Sequence, residues 1–375
     1  MASPAVGHRL RWREILKLIW SRMACWEEGD SLELWSEAVS EACKLIKRRQ
    51  AQITGVSQRS HNIRRAKSAV QEGRYRKAIQ TLTSAGVADV SEAVVSEMRA
   101  KHPQSPPVNP PLGPAPPPII LHNAIVRKGV LPFLRGSAPG PSGLRPSHLR
   151  EAITCPSPDL AEQFLSSLTR FANLLASGQV PKSMAPHLCG ATLLPCRKKS
   201  GGHRPIAIGE VLRRLVSKCL AIHSEWDAVS RFYSLQLGVG ISGGCEAIVH
   251  TVNHLMTSLP DNKRLTLELD FSNAFNQISR EAMFAEFCQH LPGLSAWMES
   301  CYTCQPILHL GEETILSCCG VQQGDPLGPL GFALTLHPLV ERIQAEATSL
   351  ELNAWFLDDG TLIGSPSALS LALNI

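Results

Sequence analysis

Ala354-Trp355-Phe356-Leu357-Asp358-Asp359-Gly360-Thr361-Leu362-Ile363-Gly364 is the stretch whose reading decides the fold. Two apolar runs flank an Asp-Asp-Gly corner, the pattern of a tight β-hairpin with the acidic pair at its tip. Taken alone, the pair asks for nothing beyond turn chemistry, because Asp-Gly is a frequent hairpin turn. A second stretch changes that reading. Leu265-Thr266-Leu267-Glu268-Leu269-Asp270-Phe271-Ser272-Asn273-Ala274-Phe275 is a strand that ends on an acidic residue and runs into a turn. Two strands that each deliver a carboxylate can set them side by side if they neighbour each other in one sheet. Carboxylates that close repel unless a cation lies between them. Mg²⁺ suits such a place, since it takes hard oxygen ligands, keeps several waters and is completed by substrate phosphates. That arrangement is the core of two-metal phosphoryl transfer.

A third segment, Gly320-Val321-Gln322-Gln323-Gly324-Asp325-Pro326-Leu327-Gly328-Pro329, lies between the two. With Asp270-x-x-x-Ala274-Phe275 before it and Phe356-Leu357-Asp358-Asp359 after it, the series resembles motifs A, B and C of reverse transcriptases in residues, order and spacing. It is closest to the polymerases of non-LTR retrotransposons, and the likeness covers residues 120–375. The resemblance implies an α+β fold of right-hand polymerase type: fingers, then a palm built on a split β-α-β antiparallel sheet, preceded by a helical N-terminal region. It implies an RNA-directed DNA polymerase, a nucleotidyltransferase that adds dNTPs to a primer 3′-hydroxyl on an RNA template with two Mg²⁺, or Mn²⁺ in their place.

On this resemblance Asp270, Asp358 and the backbone carbonyl of Phe271 hold the metals, with Asp359 beside them. Phe275 stands where the family puts a bulky aromatic under the sugar, and a ring there would repel a 2′-hydroxyl. Without the motifs, a Phe after a strand would be read as core. Gln323 and Gly324 would lie against the nucleotide, the glycine letting backbone approach closely. Arg204 would clamp the triphosphate, assisted by Arg197, Lys198 or Lys199, because cations on a hairpin neutralise its charge. Outside that context, a Lys- and Gly-rich loop is ordinary solvated surface. Three positions depart from the family pattern: Gly328 for a common serine, Leu357 for alanine, and Asn276 for aspartate. By the same comparison, the chain reaches Ile375 with no thumb, primer grip, endonuclease, RNase H or zinc-finger region. A nucleic-acid-binding relic that does not polymerise is therefore the alternative, and an RNA-dependent RNA polymerase a more distant one, opposed by Phe275.

Composition fits these readings. At 375 residues, 44% hydrophobic and 18% charged, the chain is globular and long enough for two or three domains. A net charge of +5 is compatible with a nucleic-acid partner without requiring one. Twelve cysteines form no regular framework, the usage of a reducing compartment in nucleus or cytoplasm. Cys301-x-x-Cys304 with Cys318-Cys319 lacks the second pair that a tetrahedral zinc site needs. No apolar run is long enough for a membrane span, and no signal peptide is read at the N-terminus.

Along the chain, two amphipathic helices are expected over residues 12–23 and 35–46, and shorter ones over 74–84 and 91–101, with Ser91 as N-cap. Arg64, Arg65, Lys67, Arg74, Arg76 and Lys77 make this part basic, a solvated face or a phosphate-backbone contact. Residues 102–118 carry nine prolines, an extended linker at which the main domain boundary is placed, after a helical region 1–101. Fingers follow over 119–260 and the palm over 261–375. Within the fingers, a helix starts near Ser147 beside His148, and another spans 158–177 with Leu160, Phe164, Leu168, Phe171 and Leu175 inward. Two strands, 191–195 and 204–208, flank the turn Lys199-Ser200-Gly201-Gly202. Helices over 211–221 and 245–258 frame the loop Gln236-Leu237-Gly238-Val239-Gly240, which the resemblance brings close to the nucleotide pocket. A long helix over 330–347 follows Pro329.

Overall fold

The computed structural model describes residues 58–71, 73–110, 117–134, 136–258 and 264–375; the helices expected over 12–23 and 35–46 lie outside them. The chain divides into two compact units between Ser84 and Ala85, ahead of the proline stretch at which sequence places the boundary. The described part of the first unit is a pair of helices, α1 (Gln58–Gln71) and α2 (Tyr75–Thr83). Their shared core is only Ala66, Ala69 and Ala78.

The second unit is mixed α and β, with two sheets. The first sheet has strand order β2-β1-β4-β5. β1 (Ala191–Arg197) and β2 (His203–Gly209) form the expected ribbon, antiparallel from Ala191↔Gly209 to Arg197↔His203. β4 (Ile307–Leu310) joins β1 in parallel and turns back into β5 (Glu313–Leu316) at Gly311, whose φ is +62°. The helix α3 (Glu92–Ala100) covers this sheet. Ser91 caps it as expected, its Oγ accepting from the Val94 N–H at 3.4 Å. Val94, Val95 and Met98 bury against Ala191, Leu193, Ala207, Leu308, Leu310 and Ile315. That core explains why the unit boundary precedes the linker: α3 contributes a face of the sheet's own core.

The largest core is helical. α4 (Asn123–Val130), α5 (Pro146–Ile153), α6 (Pro158–Ala176), the short α7 (Ala185–Leu188) and α8 (Val211–His223) contribute to it. On α6 the inward face is Ala161, Leu165, Leu168, Ala172, Leu175 and Ala176, while Leu160 is exposed. Small alanines carry the stripe, so selecting the bulky residues rotates the expected face toward the exposed Leu160. His148 closes a capping box at the start of α5, its Nδ1 accepting from the Arg145 N–H at 3.2 Å. α9 (Glu225–Phe232) and α10 (Gly244–Ser258) follow.

The second sheet has order β3-β7-β6, all antiparallel. β3 (Leu265–Asp270) lies at its edge, β7 (Asp359–Gly364) is central, and β6 (Leu352–Phe356) is third. α11 (Arg280–His290), α12 (Pro292–Tyr302) and α13 (Gly328–Glu346) lie between β3 and β6 in sequence, and α14 (Pro366–Leu373) follows β7. Trp355, Leu362, Val340, Ile343, Leu369 and Ala372 bury together beneath the sheet. Beyond β6, residues 235–237 add a strand-like contact: Trp355 N–H donates to the Leu235 carbonyl and Leu237 N–H to the Trp355 carbonyl, both at 2.7 Å.

Candidate active site

The acidic hairpin turns one step earlier than the Asp-Gly rule suggests. Phe356 pairs with Asp359, so Leu357 and Asp358 are the two turn residues and Asp359-Gly360 already belongs to β7. Leu357 takes φ +60°, the left-handed conformation that a two-residue hairpin loop requires and that a leucine adopts at a cost. Gly360 serves a different need from turning. A Cβ there would meet the Trp355 ring at 2.7 Å, so the glycine makes room for the indole.

Register brings the carboxylates together. Asp270, the last residue of β3, is the cross-strand partner of Asp359, which puts their side chains on one face, and Asp358 stands at the adjoining turn. Burial, then the charges of Asp358 and Asp270, raise the pKa of Asp359 above its ordinary value. None of the three carboxylates has an ion-pair partner among the described residues. The face thus holds hard oxygen donors with uncompensated negative charge, a set that fits Mg²⁺ or Mn²⁺. The side chains are not drawn into a closed cage: among the described residues no three His, Cys, Asp or Glu converge as a ready metal site, and this includes the Cys301, Cys304, Cys318 and Cys319 group. Phe271 follows Asp270 with its ring half-exposed and stacked on Trp355, centroids 6.0 Å apart.

The glycine-rich loop that precedes α13 acts as a strap. At one end, Gly320 N–H donates to the Ile278 carbonyl (3.1 Å) and Val321 N–H to the Phe275 carbonyl (2.7 Å). Gly320 has φ +61°, and a Cβ on it would meet the Phe275 carbonyl oxygen at 2.1 Å. At the other end, the Gln323 carbonyl accepts from the Ala207 N–H of β2 at 2.8 Å. Gly324, at φ +136°, lies so near that a Cβ would meet the Ala207 carbonyl oxygen at 2.1 Å. Gln323 and Gly324 therefore sit on β2, three residues past Arg204. Phe275, in the turn below Asp270, is partly buried and stacks on Phe332 of α13 at 4.8 Å.

The cations are on the ribbon. Arg204 is exposed on β2, opposite Cys196, and Lys198 and Lys199 are exposed at the turn, none with an ion-pair partner among the described residues. Arg197 is less free: it donates to the Val87 carbonyl at 2.8 Å and lies 3.7 Å from Asp89. Sequence reading missed the brace behind this ribbon. Glu97 of α3 accepts from the His203 N–H (2.9 Å), from Lys101 Nζ (2.7 Å) and pairs with His203 Nδ1 (2.6 Å). Hydrogen bonds from Lys101 first and His203 second lower the Glu97 pKa to about 2. Lys101 also donates to the His203 carbonyl, and its own carbonyl accepts from Asn273 Nδ2 at 2.8 Å. Asn273, at φ +55°, is in the turn after Asp270, so α3 ties the ribbon to that turn.

A second missed feature is the polar knot behind the strap. Arg213 of α8 is fully enclosed and donates to Gln322 Oε1 (2.5 Å), to Asp325 Oδ2 (2.7 Å) and to the Cys189 carbonyl. Tyr302 OH donates to the same Asp325 oxygen at 2.8 Å, and Leu327 N–H to the other at 3.1 Å. Burial alone would lower the Arg213 pKa; the charge of Asp325 outweighs it and holds the guanidinium protonated. The available signal in sequence was a charged residue amid Val211, Leu212, Leu215 and Val216.

Residues 196–372 match the family described as reverse transcriptase (RNA-dependent DNA polymerase). The retrotransposable element SLACS 132 kDa protein of Trypanosoma brucei gambiense is 27% identical over 250 residues, which cover 63% of this chain and 19% of that protein. The chain thus spans about a fifth of the length of that curated relative. No helix among the described residues is long and apolar enough to cross a membrane. Residues 196–372, from the cation-bearing ribbon to the helix after the acidic hairpin, are a reverse transcriptase domain.

Proposed function

We propose that this chain is the polymerase part of a retrotransposon protein, copying an RNA template into DNA from a primer 3′-hydroxyl. The observation that carries the reading is the β3–β7 register, which sets Asp270 against Asp359 beside the turn bearing Asp358. Asp270, Asp358 and the Phe271 carbonyl would hold two divalent ions, with Asp359 adding charge alongside. Bound there, the ions would lower the pKa of the primer hydroxyl and neutralise the departing pyrophosphate. Arg204, with Lys198 and Lys199 nearby, supplies positive charge for the triphosphate. Gln323 and Gly324 present backbone to the nucleotide from the loop bonded to β2. Phe275 is fixed by its stack on Phe332, so its ring resists displacement by a 2′-hydroxyl.

Primer extension on an RNA template, with dNTPs or NTPs and Mg²⁺ or Mn²⁺, tests this reading. An Asp358→Asn, Asp359→Asn double variant serves as the blank. Deoxynucleotide incorporation that the blank lacks supports it. Template binding without extension by the unsubstituted chain refutes it and leaves a nucleic-acid-binding protein.

A further inference from the structure

Gln236 stands directly behind the acidic hairpin, in the loop that leads from α9 to α10, and it is almost fully buried. Its amide closes on a single residue of the turn from both sides. Oε1 accepts from the Leu357 N–H at 2.7 Å, and Nε2 donates to the Leu357 carbonyl at 3.1 Å. The same Oε1 accepts from the Gly238 N–H at 3.1 Å, which fixes the amide's own orientation. Both main-chain groups of the left-handed Leu357 are thus satisfied by one side chain, immediately before Asp358. Gly238 completes the seat, since a Cβ there would meet Leu357 N at 2.7 Å and Leu357 Cγ at 2.8 Å. The flanking Leu235 and Leu237 bond Trp355 on either side.

A left-handed leucine is strained and can relax by flipping its peptide plane, which would swing Asp358 with it. The bonds to Gln236 oppose that flip at both ends of the residue. We infer that Gln236 is a positioning residue, whose amide holds the Leu357-Asp358 turn so that the Asp358 carboxylate faces Asp270. The inference rests on the proposed polymerase reading and names the part of the fold that sets the geometry of its acidic hairpin. An ordinary buried glutamine would satisfy scattered backbone groups; this one spends all three bonds on the turn and its seat.

The test compares Gln236→Met, similar in size but without the amide, and Gln236→Glu, which keeps the acceptor oxygens, with the unsubstituted chain. Hydrogen exchange at the Leu357 amide is read first, because it needs no catalysis. Exchange should quicken by roughly fivefold or more in Gln236→Met and return toward the original rate in Gln236→Glu. Single-turnover dNTP incorporation is read second. The Gln236→Met rate should fall about 100-fold while KM for dNTP and the melting temperature change little, the signature of a misplaced group and not of a lost pocket. Unchanged Leu357 exchange in Gln236→Met overturns the inference whatever the activity. Faster exchange with an unchanged rate overturns it as well. If the unsubstituted chain does not extend primers, the polymerase reading fails, and the exchange result still decides whether Gln236 holds the turn.

Discussion

Replacing Asp325 with asparagine should destabilise the second unit far more than a single surface charge would. Both Asp325 and Arg213 have side chains only 1% exposed, so the guanidinium cannot turn to water when its counter-charge is removed. Asparagine keeps the shape and an acceptor, yet leaves a buried cation that the ring of Tyr302, 5.1 Å from the guanidinium, only partly offsets. Breaking a buried pair in this way costs about 3–5 kcal/mol, a large share of a typical 5–15 kcal/mol of stability. For a unit this large the melting temperature should fall by roughly 10 °C. Differential scanning calorimetry and urea titration would measure it. Arg213→Met with Asp325→Leu removes both charges together and should recover most of the loss. A single Asp325→Asn variant within about 1 kcal/mol of the original would refute the reasoning, because the charge would then have to be solvated. A double variant no better than the singles would refute it too.

Further outcomes follow from the site. Asp270→Asn or Asp358→Asn should abolish primer extension by several orders of magnitude with template affinity retained, read by single-turnover kinetics and filter binding. Phe275→Val should admit ribonucleotides while loosening the packing on Phe332, read as the ratio of dNTP to NTP incorporation beside the melting temperature. Between residues 58 and 84 the sequence carries seven Lys and Arg against Glu72 alone, so Arg64, Arg65, Lys67 and Arg76 changed together to alanine should weaken template binding and flatten its salt dependence. Glu97, whose pKa is lowered from 4.5 to about 2, contributes stability present above pH 4.5 and lost as pH falls towards 2. Glu97→Gln should flatten the acid limb of the stability profile in that window, measured by urea titration at each pH.

The parts legible in sequence were those with local rules. Apolar runs on either side of the acidic corner marked β6 and β7, a run ending on Asp270 marked β3, Ser91 announced its cap, and the Gly-Gly turn separated β1 from β2. Features set by contacts distant in sequence were not. The hairpin turn fell on Leu357-Asp358 because β6–β7 register and the Trp355 ring over Gly360 outweigh the Asp-Gly preference. The inward face of α6 was misread because alanines carry it. β4 and β5 are four-residue strands with no alternation strong enough to see. The candidate site residues were readable as motifs, and Gln236 as part of a loop the resemblance marks, while Glu97, Lys101 and Arg213, which brace the segments around them, belong to no motif. Their roles exist only once the chain has folded.

The strap from Gly320 to Gly324 joins β2 of the first sheet to the turn that follows β3 by main-chain hydrogen bonds at its two ends, in mechanical series. Force applied to β2 therefore has a direct load path through Ala207 and Gln323 to the turn beneath Asp270. The end of α3 braces the ribbon at His203 and the same turn at Asn273, in parallel with the strap. The ribbon's travel is bounded by the stretch that a few hydrogen bonds tolerate, so a displacement of β2 is shared with the turn beneath Asp270 as one frame.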